Sequence, residues 1–198
     1  MSEIQQSTSD SSSDSVQFAL HKTVVMVGMM GAGKTAVGKV LAAKLGVPFI
    51  DSDHEIETAA NMTVPEIFER DGEPFFRVKE TQVISRLLDN SHGILSTGGG
   101  AFLSAENRQN ISQRGVSVWL NADLSLLWHR VRYKDTRPLL RSADPKGRLT
   151  ELYEARVPIY KLADLHVPSK PSYSIEEMAE RVIAALLTRP DVLEKLDA

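Results

Sequence analysis

Short β-branched apolar runs alternate along this chain with segments whose apolar positions repeat at the helical period. Thr23–Val27, Val47–Ile50, Gly93–Thr97, Val116–Leu120 and Leu165–Val167 read as strands. Val37, Val40, Leu41 and Leu45 form one helical stripe that Gly46 ends, and Phe76, Val83, Ile84, Leu87 and Leu88 form another in a helix from Pro74 to Leu88. Alternation of this kind predicts an α/β fold, a parallel sheet with helices on both faces. Residues 133–148 break the pattern: five basic residues, two prolines and a glycine without sustained periodicity predict a long loop, of the kind that is usually mobile and functional.

Composition narrows the function classes. With 198 residues, 42% apolar and 25% charged, the chain has the make-up of one ordinary globular domain. Residues 1–17 are Ser-rich and acidic, with neither a basic residue nor an apolar core, so a disordered tail is expected there and not a secretory or transit signal. The domain is then expected over residues 18–190, followed by a C-terminal tail at 191–198. A net charge of −3 argues against a nucleic-acid partner. The longest apolar stretches fall far short of the ~20 residues that a membrane span needs. The absence of cysteine removes disulfides and thiolate chemistry, and the five histidines lack the paired spacing of a zinc site. A cytoplasmic protein acting on small molecules is expected.

The strongest chemical signal is Gly28-Met-Met-Gly31-Ala-Gly33-Lys34-Thr35, the full G-x-x-x-x-G-K-[ST] pattern between a β-branched strand and an amphipathic helix. Its glycines let backbone N–H groups converge on phosphates at a helix N-terminus. Lys34 then reaches the β/γ-phosphates and the Thr35 hydroxyl a Mg²⁺ ion. Asp51-Ser-Asp53 follows the second strand, at the edge where open α/β sheets bind ligands. In an extended chain its two carboxylates project to one side, one suited to a Mg²⁺-bound water and the other to a hydroxyl proton. Plain helix capping is the alternative. Gly98-Gly99-Gly100 also follows a strand, either because the chain must approach a ligand closely or as a merely flexible loop. Arg77, Arg137 and Arg156 offer bidentate charge for a carboxylate or a transferring phosphoryl group, against a solvated surface role for any one of them.

Taken in order, GMMGAGKT, DSDHEIE, IFERDGEPFFRVKE, STGGG, TRPLL and ARVPIY resemble the shikimate kinase family, from about Val24 to Leu187. The resemblance implies a three-layer α-β-α fold with a five-stranded parallel sheet, a P-loop NTPase of the nucleoside monophosphate kinase class. It implies a substrate-binding segment at 51–90 and an ATP lid at 133–148. The implied activity is transfer of phosphate from ATP to shikimate, giving shikimate 3-phosphate in aromatic amino-acid biosynthesis, by a monomer using Mg²⁺. Carried over by position, Gly31, Ala32, Gly33, Lys34, Thr35 and Ala36 meet ATP, Thr35 meets Mg²⁺, and Asp51 holds Mg²⁺ through water. Asp53 holds shikimate hydroxyls and is the base. Arg77 and Arg156 clamp the shikimate carboxylate, bordered by Gly98, Gly99 and Gly100. Arg137 is the lid arginine at the transferring phosphate, and Arg130 and Lys170 border the adenine. Asn61 stands where the family usually has glycine, and Asn tolerates that left-handed turn. A kinase acting on another anionic metabolite such as gluconate is the nearest rival, and a nucleotide-binding module without catalysis is the reading from another class.

Overall fold

In the computed structural model, which describes residues 16–90, 92–134 and 141–197, every residue of the strand Thr23–Val27 (β2) is buried. That burial on both faces explains its unbroken apolar run. It is the middle of a five-stranded sheet with Phe49–Asp51 (β3), Ile94–Ser96 (β4), Gly115–Asn121 (β5) and Leu165–Pro168 (β6), in the order β3-β4-β2-β5-β6. All four pairings are parallel. The register sets Met26 and Asp51 each opposite Ser96, so the strands finish level and the loops that follow them gather at one edge.

Helices Lys34–Leu45 (α1), Ser52–Ala60 (α2), Val64–Asp71 (α3), Glu73–Asn90 (α4), Ala105–Arg114 (α5), Leu124–Val131 (α6), Pro145–Tyr160 (α7) and Ile175–Leu186 (α8) connect or cover the strands. Several carry the caps their sequences encode. Thr63 with Glu66, and Ser174 with Glu177, close reciprocal capping boxes at α3 and α8. Asn61 takes φ 51° at the end of α2, the left-handed geometry expected of it.

Two expected boundaries need correction. The C-terminal tail at 191–198 contains a strand, Leu193–Leu196 (β7), which pairs antiparallel with Gln17–Leu20 (β1), so residue 17 also belongs to the folded body. Val192 and Leu193 are fully buried, and two inward side chains are too few to show as periodicity. The loop expected to reach residue 148 ends earlier, because Asp144 accepts from the Gly147 N–H and starts α7 at Pro145. Residues 135–140 of that segment, Arg137 among them, and residues 1–15 of the expected tail lie outside the described residues. No described helix is long and apolar enough to cross a membrane.

Candidate active site

The turn from β2 into α1 is the first wall of the site. Gly31 and Gly33 take φ of 80° and 91°, a region that side-chain-bearing residues rarely enter. Gly33 is the N-cap of α1 and brings no side chain to it, which leaves the positive end of the helix open to an anion. Lys34 is buried, its Nζ donating to the carbonyls of Gly28 (2.8 Å) and Met29 (2.9 Å). From α6, Arg130 grips the same loop, donating to the Gly31 carbonyl at 3.1 Å. Burial pulls its pKa down. The Thr35 hydroxyl lies 3.5 Å from that of Ser96 at the end of β4.

Asp51 closes β3, and its carboxylate accepts from the N–H groups of Asp53 (2.9 Å) and His54 (3.3 Å), capping α2. The capping reading is therefore correct. It also corrects the geometry expected for the pair: Asp53 sits in the first helical turn, not in an extended chain, and the cap rather than the strand pleat aims it. Both carboxylates line one cavity of about 510 Å³ with residues 30–37, 96–99, Arg130 and Lys134. Ser169, Tyr173, Ile175 and Met178 also line it. Lys170 is not part of that wall; its ammonium lies over the Tyr173 ring, 5.8 Å from the centroid.

The three successive glycines make room for three of the expected acceptor-site side chains. A Cβ on Gly98 would stand 3.0 Å from Asp53 Oδ1, one on Gly99 would stand 3.1 Å from Arg156 Nη1, and one on Gly100 would overlap the Arg77 guanidinium. The close approach expected for this loop is thus to the protein's own side chains, which converge from α2, α7 and α4. The loop's carbonyls are all engaged: Gly98 accepts from the Ala101 N–H, Gly100 from that of Leu103, and Gly99 from the Tyr160 hydroxyl. Among the described residues nothing accepts from the three glycine N–H groups. They remain as donors for an oxygen-rich ligand beside two guanidinium groups.

Burial tunes the carboxylates here. Asp53 is pushed up to about 6, first by burial and then by the charge of Asp51, against the pull of the Lys34 cation. Its Oδ1 is buried without a hydrogen-bond partner among the described residues. Glu80 went unremarked in the sequence, yet it is buried and pushed up to about 7 by that burial. It accepts from Arg77 Nη1 at 2.9 Å, while Glu73 accepts from Arg77 Nε and Nη2 at 3.3 and 3.1 Å. Two carboxylates thus hold the guanidinium from neighbouring turns of α4. A signal for Glu80 existed, since it stands one turn after Phe76 on the apolar stripe, where a lone charge needs a partner. Tyr160, fully buried, was also missed; it follows Arg156 by one turn of α7.

A family model described as shikimate kinase matches residues 30–187. The shikimate kinase of Ruegeria pomeroyi is 70% identical over 176 residues, which is 89% of this chain and 90% of that relative. That of Cereibacter sphaeroides is 64% identical over 179 residues, 90% of this chain and 89% of the relative. The solved structure of shikimate kinase from Acinetobacter baumannii in complex with shikimate is similar at a TM-score of 0.79 and 38% identity, over 84% of this chain and 93% of that one. Agreement of the P-loop, the sheet order and near-full-length similarity has one reading: the chain belongs to the shikimate kinase family.

Proposed function

We propose that this chain transfers the γ-phosphoryl group of ATP to a hydroxyl of shikimate, forming shikimate 3-phosphate and ADP. The observation that carries this reading is the convergence of Asp53, Arg77 and Arg156 on three consecutive glycines beside the P-loop cavity. Carboxylate and hydroxyl recognition is thereby set against the phosphate site. Arg77 and Arg156, with the glycine N–H groups, receive the substrate carboxylate, while Asp53 takes the hydroxyl. As that oxygen bonds to the γ-phosphorus, the bond from phosphorus to the bridging oxygen of ADP breaks, and the hydroxyl proton passes to Asp53. A base with pKa about 6 suits that task near neutral pH.

ATP lies with its phosphates on residues 31–36 and its base toward Arg130 and the wall of Tyr173, Ile175 and Met178. Lys34 leaves its loop carbonyls to follow the transferring charge, and Arg137, outside the described residues, is assigned to the same charge by the family resemblance. A magnesium ion fits the donor set: Thr35 and Asp51 both line the cavity, the Asp51 Oδ1 caps α2 while its Oδ2 takes no part in that cap, and Mg²⁺ prefers one or two protein oxygens completed by phosphates and water. When bound with ATP it neutralises charge on the β- and γ-oxygens. Release of ADP, followed with shikimate, quinate and gluconate as acceptors, tests the reading. Turnover is expected with shikimate alone; equal turnover with gluconate sinks the acceptor assignment, and none with any acceptor sinks the kinase.

A further inference from the structure

Tyr160 is the last residue of α7, and no part of it is exposed. Its ring lies nearly parallel to that of Trp119 on β5, 28° between planes and 6.3 Å between centroids, and Trp119 is braced edge-on by His166 of β6. The sheet therefore fixes where the phenol oxygen stands. That oxygen has two neighbours in the acceptor site. It donates its proton to the Gly99 carbonyl, and it shares the space over Gly99 with the Arg156 guanidinium, one helical turn back: a Cβ there would stand 3.1 Å from Arg156 Nη1 and 3.7 Å from the phenol oxygen. The Arg156 charge opposes the rise in the phenol's pKa that burial causes.

A peptide group is planar and trans, so fixing the Gly99 carbonyl also fixes the Gly100 N–H, which points the opposite way. A single hydroxyl thus sets the direction of a glycine N–H donor and stands beside the guanidinium that a Cβ on Gly99 would touch. We infer that Tyr160 is a positioning residue for the acceptor's carboxylate, joining the Gly99–Gly100 peptide to Arg156 so that both present their donors to the same anion. The inference rests on the reading above that Arg156 and the triple-glycine backbone receive that carboxylate.

Tyr160→Phe removes the hydroxyl and keeps the ring and its stacking on Trp119. The shikimate KM and the Kd measured by calorimetry should each rise about tenfold or more, because two donors lose their alignment with a charged group. The ATP KM should stay within about twofold and kcat within about threefold, with little change in Tm. Arg156→Ala should raise the shikimate KM at least as far, and the double variant should fall short of the product of the two single effects, since both act on one anion. A parental shikimate KM in Tyr160→Phe beside a raised one in Arg156→Ala overturns the role of Tyr160 and leaves the acceptor site standing. A uniform loss in both KM values with a lowered Tm overturns it too, since the hydroxyl would then only hold the fold. Parental shikimate binding by Arg156→Ala removes the acceptor-site reading and this inference with it.

Discussion

Asp53 carries opposing demands on one carboxylate. To act as the proposed base it must be ionised, yet burial and the neighbouring Asp51 charge favour its neutral form, and the Lys34 cation only partly offsets them. With its pKa near 6, the fraction in basic form falls below that pH. The kcat/KM for shikimate should therefore rise through a limb at about pH 6 and level off above it, a profile that reports groups of the free enzyme. Asp53→Asn keeps size and hydrogen bonding but removes the basic form. Its kcat should drop roughly 10²–10⁴-fold if the proton moves in the transition state, and the limb at pH 6 should vanish from what activity remains. A limb that persists in the Asn variant would assign it to another group, with Glu80, pushed up to about 7, the first to examine. The motif picked out Asp53, but its elevated pKa comes first from a burial that no local spacing reveals, with cations from α1 and α4 pulling the other way.

At the level of elements, the triple-glycine loop is a surface on which α2, α4 and α7 each set one side chain, and the glycines can be told apart by what each faces. None of the three has a positive φ, so alanine meets no backbone penalty there and its effect is steric. Gly100→Ala puts a methyl into the Arg77 guanidinium and displaces it from Glu73 and Glu80. The shikimate KM should rise about tenfold or more with little change for ATP, as expected when a charged partner of a carboxylate is misplaced. Gly98→Ala crowds the Asp53 carboxylate and should act mainly on kcat. Steady-state kinetics on both variants checks the division; identical effects would mean that the loop moves as one body. The strand ends, the P-loop helix and α4 were legible because burial on both faces or one stripe leaves a clear period in the sequence. The convergence of α4 and α7 on this loop was implied by the family resemblance alone and not by spacing, since Arg77 and Arg156 are far apart in sequence and only packing brings them together.

The whole molecule closes on itself where the sequence reads as tail. β1 and β7 form a ribbon, and Val192 and Leu193 drop two side chains into the core beside it. Removing residues 191–198 exposes what they cover, at ~1.5–3 kcal/mol for each buried side chain, and should lower Tm on the order of 10 °C for a chain of this length; an unchanged Tm would make the ribbon ornamental. A second global property follows from the two buried carboxylates. Asp53 rises from 3.8 to about 6 and Glu80 from 4.5 to about 7, so between those values the folded protein holds protons that the unfolded chain has released. Stability then falls as pH rises, with no contribution from these groups below about pH 4 and the full penalty above about pH 7. For the free protein, Tm should decline on the order of 10 °C across that window. The opposite slope, common where acids are paired at the surface, would mean that Arg77 holds Glu80 ionised despite its burial. Glu80→Gln separates the contributions: it removes one of the two titrations while keeping an acceptor for Arg77, so its Tm should vary less between pH 4 and 7 than that of the parent, and the slope that remains should belong to Asp53.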